Sequence, residues 1–173
     1  MKIAWIGAGK MGLPVCHRLK AAGHDVSILA RRPEQAALLA QAGFAVARDV
    51  PGLIRSADVV FTCVSDDRAL ADVILNDAFS AALSATATLI DMSTVSPAVS
   101  AAVAAHLRAG ARYLRAPVSG STAMAEAGTL TALVSGPRDA FGDMAEIFAA
   151  FTKAALYLGS EEQARFLKLA INS

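Results

Sequence analysis

Three glycines near the amino terminus have the spacing of a phosphate-binding loop. The loop follows the apolar run Ile3–Ile6, precedes a stretch with helical spacing, and reads Gly7-Ala8-Gly9-Lys10-Met11-Gly12. In a G-x-G-x-x-G loop the first glycine permits a tight turn, the second lets the backbone approach a pyrophosphate, and the third lets the helix pack on the strand. The unpaired N–H groups at the start of that helix favour an anion. The loop therefore predicts a dinucleotide site, although the motif alone would also suit an ordinary glycine-rich turn.

Two arginines follow the next predicted strand, at the position that distinguishes the two nicotinamide cofactors. An NAD site commonly has a carboxylate there, about 20 residues beyond the loop, which bonds the adenosine ribose 2′-OH. This chain reads Ala30-Arg31-Arg32-Pro33 and has no carboxylate at that strand end. A planar guanidinium matches a 2′-phosphate well. The sequence therefore favours NADP(H) over NAD, the alternative being that Arg31 and Arg32 only solvate a loop.

The elements that must position these residues alternate along the chain, as in a parallel sheet covered on both faces. The predicted strands are Lys2–Ile6, Asp25–Leu29, Asp58–Val64, Thr88–Asp91, Arg112–Ala116, Leu130–Val134 and Ala154–Leu158. The predicted helices are Met11–Ala22, Pro33 to about Gly43, a short one from Pro51, one from Asp66, Ser96–Ala109, Pro137–Phe151 and Ser160–Ser173. This order predicts an α/β fold with a Rossmann-like doubly wound, mostly parallel sheet. Because ligands of such sheets lie at the carboxyl ends of strands, Val64 and Ser65 are expected to border the cofactor.

The terminal segment 160–173 is predicted to be a helix that follows a cofactor-binding domain formed by residues 1–159. Ser160 is expected to cap it, and Glu161 is expected to pair with Arg165 one turn later. Apolar residues occupy most of its circumference, namely Phe166, Leu167, Leu169, Ala170 and Ile171. One contact face would not cover them, so we expect a second domain or another chain to pack against this helix, and thus a homo-oligomer.

Composition excludes several other classes of protein. The chain has 173 residues, a formal charge of +1 and 55% hydrophobic residues, with no basic run that would favour nucleic acid. No uncharged stretch reaches the roughly 18 residues of a membrane span, and nothing resembles a signal peptide, so a cytoplasmic protein is expected. Cys16 and Cys63 are predicted to be reduced core thiols. With the three histidines scattered, no metal site is predicted.

Four segments give the chain a resemblance to the β-hydroxyacid dehydrogenase family, which includes 3-hydroxyisobutyrate dehydrogenases, tartronate semialdehyde reductases and imine reductases. They extend over nearly the whole chain: Gly7–Pro14, Asp91-Met92-Ser93-Thr94-Val95-Ser96-Pro97, Ala116-Pro117-Val118-Ser119-Gly120-Ser121 and Lys168-Leu169-Ala170-Ile171-Asn172. The second and third segments are quite specific, and the fourth is informative only with the others.

The resemblance implies a role for five further residues. Thr94 would lie near the nicotinamide ribose, Ser119 and Gly120 would hold a substrate carboxylate, and Lys168 would be the general acid or base with Asn172 beside it. The i,i+4 spacing of Lys168 and Asn172 puts both on one helix face. A lysine ammonium placed there donates a proton to a carbonyl oxygen as hydride arrives, or accepts one in reverse.

The resemblance also implies a function and a missing part. The expected function is hydride transfer between NADP(H) and a small 3-hydroxy acid or semialdehyde, with a non-catalytic NADPH-binding module and an imine reductase as alternatives. The family commonly has glycines shortly before its lysine, whereas this chain reads Gly159-Ser160-Glu161-Glu162-Gln163-Ala164-Arg165 there. Members of the family are completed by an all-helical C-terminal domain, so the chain resembles their cofactor-binding half.

Overall fold

The computed structural model describes residues 1–108 and 110–173, and within them nine strands form one sheet. The strands are β1 (Lys2–Ile6), β2 (Asp25–Leu29), β3 (Ala45–Ala47), β4 (Val59–Thr62), β5 (Thr88–Asp91), β6 (Arg112–Arg115), β7 (Val118–Ser119), β8 (Leu130–Ser135) and β9 (Thr152–Gly159).

The strand order determines where a ligand can bind. The sheet runs β3-β2-β1-β4-β5-β6-β8-β7, with β9 pairing to β8. The first six strands in that order are parallel to their neighbours, whereas β8 is antiparallel to β6 and β7. β2 and β3 lie on one side of β1, and the strands from β4 onward lie on the other side. Because the strand order switches between β1 and β4, a crevice opens beyond the carboxyl ends of these two parallel strands. The mostly parallel, doubly wound fold is confirmed.

The helices lie between and after the strands. They are α1 (Gly12–Ala21), α2 (Pro33–Gln41), α3 (Val50–Ile54), α4 (Asp67–Ile74), α5 (Asp77–Ala82), α6 (Pro97–His106), α7 (Thr122–Ala127), α8 (Arg138–Asp143), α9 (Ala145–Ala149) and α10 (Gln163–Asn172). Among the described residues no helix combines the length and apolar character that a membrane crossing would need.

Alternate residues of β1 contribute to two hydrophobic cores, one on each face of the sheet. Ile3 and Trp5 pack with α1, α2, α7, α8 and α9, while Ala4 and Ile6 pack with α3, α4, α5 and α6. A strand buried on both faces must be apolar throughout, which is why the central strands read as continuous apolar runs. The Trp5 ring stacks on Phe61 with centroids 4.7 Å apart.

The structure corrects several predicted elements. The sequence interpretation missed β3, β7, α5 and α7, and the single helix predicted over Pro137–Phe151 is two short helices that meet at Met144, where the backbone leaves helical geometry. The predicted strand Asp58–Val64 is shorter, and Cys63 lies half-buried beyond its end. The predicted end of the alanine-rich helix, Ala109, falls outside the described residues, and α6 ends at His106.

Candidate functional site

The glycine loop joins β1 to α1 and is held by close backbone contacts. Gly7 has a φ of 102°, and a Cβ there would lie 2.1 Å from the carbonyl oxygen of Cys63. A Cβ on Gly12 would lie 2.3 Å from the carbonyl oxygen of Gly7, which also accepts the Trp5 indole N–H at 3.1 Å. Any side chain at either glycine would push the loop away from β1 and β4, so both positions require glycine.

The middle glycine has a different environment. A Cβ on Gly9 would meet no atom within 4 Å. Met11 provides no side-chain cap for α1, and Leu13 N–H donates to the Gly9 carbonyl at 3.0 Å. The Leu13 N–H makes the first helical hydrogen bond, so the amides that precede it belong to the set that a helix start leaves without intrahelical acceptors, as an external anion requires. A cleft of about 610 Å³ begins at Gly9 and Lys10 and extends between α1 and α7. The loop geometry fits a pyrophosphate.

The contrast between these glycines gives a first prediction. Gly9→Ala keeps the melting temperature within a few degrees but weakens NADPH binding, because the new methyl group occupies the open space over the loop. Gly12→Ala lowers both the melting temperature and the affinity for NADPH, since its methyl group clashes with the Gly7 carbonyl and Trp5. Thermal denaturation with and without NADPH measures both effects. Equal losses of stability in the two variants would contradict this interpretation of the loop.

The two predicted arginines lie at the end of β2. Both side chains are exposed; Arg31 lines a smaller cleft, whereas Arg32 stands at the N-cap position of α2. Val64 is half-buried and its backbone N–H donates to the Ser93 hydroxyl at 2.9 Å. Ser65 and Thr94 are exposed at the ends of β4 and β5. These residues lie at one edge of the sheet because their strands are parallel.

A lysine and a serine that are 49 residues apart in the chain come together at this edge. The Lys168 ammonium donates to the Ser119 hydroxyl at 3.4 Å, and Lys168 is half-buried. Gly120 follows with a φ of 139°, and a Cβ there would lie 2.7 Å from the Leu130 side chain. Asn172 is exposed in the last turn of α10. A cation from α10, a hydroxyl at the end of β7 and the glycine that follows it thus lie at this edge.

The arginine predicted to pair with Glu161 instead anchors α10 to the sheet. Arg165 is 1% exposed and forms an ion pair with Asp91, which is 0% exposed. Its other N–H groups donate to the Ser93 carbonyl at 2.8 Å, the Ser100 hydroxyl at 3.1 Å and the Tyr113 hydroxyl at 3.0 Å. The predicted Glu161–Arg165 pair is therefore wrong, because Asp91 offers the guanidinium a partner that water does not screen.

The Asp91 carboxylate is fully engaged as an acceptor. Beyond the pair with Arg165, it accepts the Thr62 and Ser93 hydroxyls, each at 2.7 Å. Burial works to lower the pKa of Arg165, but Asp91 and Tyr113 outweigh it and raise that pKa, so the guanidinium stays charged. Burial raises the pKa of Tyr113. The cluster joins β4, β5, α6 and β6 to the helix that carries Lys168.

The start of α10 also differs from the prediction. The helix begins at Gln163 rather than after Ser160, and its cap comes from another element: the Ser135 hydroxyl on β8 accepts the Ala164 N–H at 3.2 Å. That hydroxyl donates to the Glu161 carbonyl at 2.6 Å. Glu162, just before the helix, accepts Arg115 Nη2 at 2.6 Å. Tertiary contacts to β6 and β8 therefore decide where the helix starts.

Both cysteines are free thiols with weak reactivity. Cys16 is buried and burial raises its pKa, while burial raises the pKa of half-buried Cys63 to about 12. A thiol with a raised pKa stays protonated near neutrality and is a poor nucleophile or metal ligand. Within the ranges the structure describes, no group of three or more His, Cys, Asp and Glu side chains has a metal-binding arrangement.

Known proteins resemble the chain over nearly its whole length. Residues 2–159 match the family described as the NAD binding domain of 6-phosphogluconate dehydrogenase. The cytokine-like nuclear factor N-PAC of Xenopus tropicalis is 31% identical over 173 residues, which are 99% of this chain and 32% of that protein. The chain therefore spans about a third of the length of such relatives.

Two solved structures share the fold closely. The Mycobacterium tuberculosis 3-hydroxyisobutyrate dehydrogenase with L-serine has a TM-score of 0.89 and 28% identity, over 99% of this chain and 58% of that one. Psf3 in complex with NADP+ and 2-OPP has a TM-score of 0.91 and 32% identity, over 98% of this chain and 61% of that one. The fold is thus common to this chain and these two structures.

Proposed function

Because the chain belongs to the family of NAD-binding domains of 6-phosphogluconate dehydrogenase, we propose that it is the cofactor-binding domain of an oxidoreductase. The reaction is hydride transfer between NADP(H) and a small 3-hydroxy acid or semialdehyde. The observation that carries this proposal is the contact between Lys168 and Ser119, with Nζ and Oγ 3.4 Å apart at the carboxyl edge of the sheet. The 3-hydroxyisobutyrate dehydrogenase with a TM-score of 0.89 supports it.

The residues at the ends of the strands would hold the cofactor. The amides of Gly9, Lys10 and Met11 receive the pyrophosphate, for which Gly7, Ala8 and Gly12 set the turn. Arg31 and Arg32 select the 2′-phosphate, and Val64, Ser65 and Thr94 border the riboses. When bound, NADP(H) supplies or accepts the hydride. Support for the phosphorylated cofactor comes from the paired arginines and from the NADP+ in the structure of Psf3.

Four residues would bind the substrate. The Ser119 hydroxyl and the Gly120 N–H donate to the substrate carboxylate, and Lys168 exchanges a proton with the oxygen on the reacting carbon. Asn172, one turn beyond Lys168, orients the same substrate. These groups bind the substrate and hold it in position against the cofactor. Such orientation by itself removes a large part of the barrier to a bimolecular reaction.

The cofactor proposal predicts a difference between NADPH and NADH. At equal millimolar concentrations NADPH raises the melting temperature more than NADH does, because a ligand with 100-fold tighter binding adds about 2.7 kcal/mol of stability. A thermal-shift titration with both nucleotides measures this. A larger shift with NADH would overturn the assignment of Arg31 and Arg32, and no shift with either would overturn dinucleotide binding itself.

A second candidate function is a dinucleotide-binding module without catalysis. The N-PAC relative, 31% identical over 173 residues, carries the name of a nuclear factor. Such a module would bind NADPH through the same loop but would not oxidise 3-hydroxy acids. The two candidates separate in an activity assay with NADP+ and a panel of short 3-hydroxy acids, performed on the protein at the length its gene encodes.

The exposed apolar face of α10 fits a larger assembly. Phe166 and Ile171 are 63% and 56% exposed, and Leu167 and Leu169 are also exposed. Exposed apolar patches on one helix mark a surface that another domain or chain covers. We propose that a helical C-terminal domain or a second copy of the chain covers this face, and that the protein is a homo-oligomer assembled through α10 or through that domain.

A further inference from the structure

The arginine that follows β3 lies beside the end of β2. Leu29 of β2 pairs in parallel with Ala47 of β3, and the Ala30 N–H donates to the Ala47 carbonyl at 2.9 Å. Arg31 and Arg48 follow these contacts, each just beyond the end of its strand. Both line a single cleft of about 240 Å³, whereas Arg32 does not line it.

The guanidinium groups of Arg31 and Arg48 are available to bind an anion in this cleft. Within residues 1–108 and 110–173 neither Arg31 nor Arg48 takes part in an ion pair, and both are exposed. Two carboxylates also line the cleft, Asp49 and Asp72. Asp49 is engaged in capping α3, since its Oδ1 accepts the Gly52 N–H at 2.7 Å. Asp72 is exposed on α4.

We infer that Arg48 binds the 2′-phosphate of NADP(H) together with Arg31 and is a residue that determines cofactor specificity. The inference rests on the proposed function, which brings the adenosine end of the dinucleotide to the end of β2. A phosphate monoester carries a charge of about −1.5 to −2 near neutral pH, and two guanidinium forks satisfy its oxygens better than one. Arg48 could not be selected from the sequence, because β3 is only a three-residue strand.

The experiment compares variants of two arginines that flank α3. Arg48→Ala removes the cleft arginine, while Arg55→Ala removes the same charge from the exposed residue at the end of α3, outside the cleft. Isothermal titration calorimetry measures the Kd values of NADPH and NADH for both variants and the parent. Arg48→Ala is expected to raise the Kd of NADPH about 10-fold, as for loss of a charge-assisted hydrogen bond. The Kd of NADH is expected to change far less. Arg55→Ala leaves the ratio of the two Kd values unchanged.

A third variant increases binding and therefore does not depend on damage to the fold. Asp72→Asn removes the exposed carboxylate from the cleft, so it is expected to lower the Kd of NADPH and to leave the Kd of NADH unchanged. If the ratio of the NADPH and NADH Kd values is the same in Arg48→Ala as in Arg55→Ala, the inference is overturned. Dinucleotide binding and the proposed function then still stand. If the parent binds neither nucleotide, the proposed function fails first and the inference fails with it.

Discussion

If the proposed function holds, Lys168→Ala lowers turnover of a 3-hydroxy acid by roughly 10²- to 10⁴-fold, the range typical for loss of a general acid or base. The lysine ammonium lies 3.4 Å from the Ser119 hydroxyl, so its removal leaves the substrate oxygen without a proton partner while the distant glycine loop is unaltered. NADPH affinity is therefore expected to stay at the parent value. Steady-state kinetics with saturating NADP+ and calorimetry with NADPH measure the two quantities.

The control for this prediction is another lysine. Lys153 is exposed on β9 and lines a cleft with Phe148 that neither Ser119 nor Lys168 lines, so Lys153→Ala removes the same charge from outside the Lys168–Ser119 contact. The proposal requires the two variants to differ in kcat but not in NADPH affinity. Equal activity in both would remove Lys168 from the mechanism. A parent protein that binds NADPH but oxidises none of the 3-hydroxy acids would favour the non-catalytic module instead.

Arg165→Met destabilises the protein by about 3–5 kcal/mol, as expected when one partner of a buried ion pair is removed. Asp91 has no exposure, and without the guanidinium its carboxylate keeps only neutral donors. At this chain length each kcal/mol lowers the melting temperature by about 2–4 °C, so a decrease on the order of 10 °C is expected. Urea denaturation and thermal melting test this directly.

Two further variants show whether the ion pair itself is responsible. Arg112→Met breaks a pair with Asp143, whose side chain is 61% exposed, and should cost at most about 1 kcal/mol. The double variant Arg165→Met/Asp91→Leu removes both buried charges and should recover much of the loss. A single Arg165→Met variant that melts with the parent would mean that the cluster does not anchor α10. In that case the position of Lys168 would have another cause.

Much of the fold could be predicted because its signals are local. The bounds of β1, β2 and β5 match the prediction. β1 and β5 are buried at nearly every position, and β2 has the buried apolar residues Val26 and Ile28 at alternate positions. The missed helices also had local signals: Asn76 caps α5 through the Phe79 N–H at 2.9 Å, and Ser121 caps α7 through the Met124 N–H at 3.2 Å. By contrast, β3 and β7 are too short for an alternating pattern to identify.

The sequence by itself determined the glycine loop and the order of the segments around it. A turn, a phosphate approach and a helix–strand contact are each decided within a few residues, so spacing alone reveals them. Tertiary structure alone decided the surroundings of Arg165, which finds Asp91 across 74 residues, and the cap that Ser135 provides to α10. Contacts of this kind depend on which strands become neighbours, and the free energy of burying a charge, rather than local spacing, selects the partner.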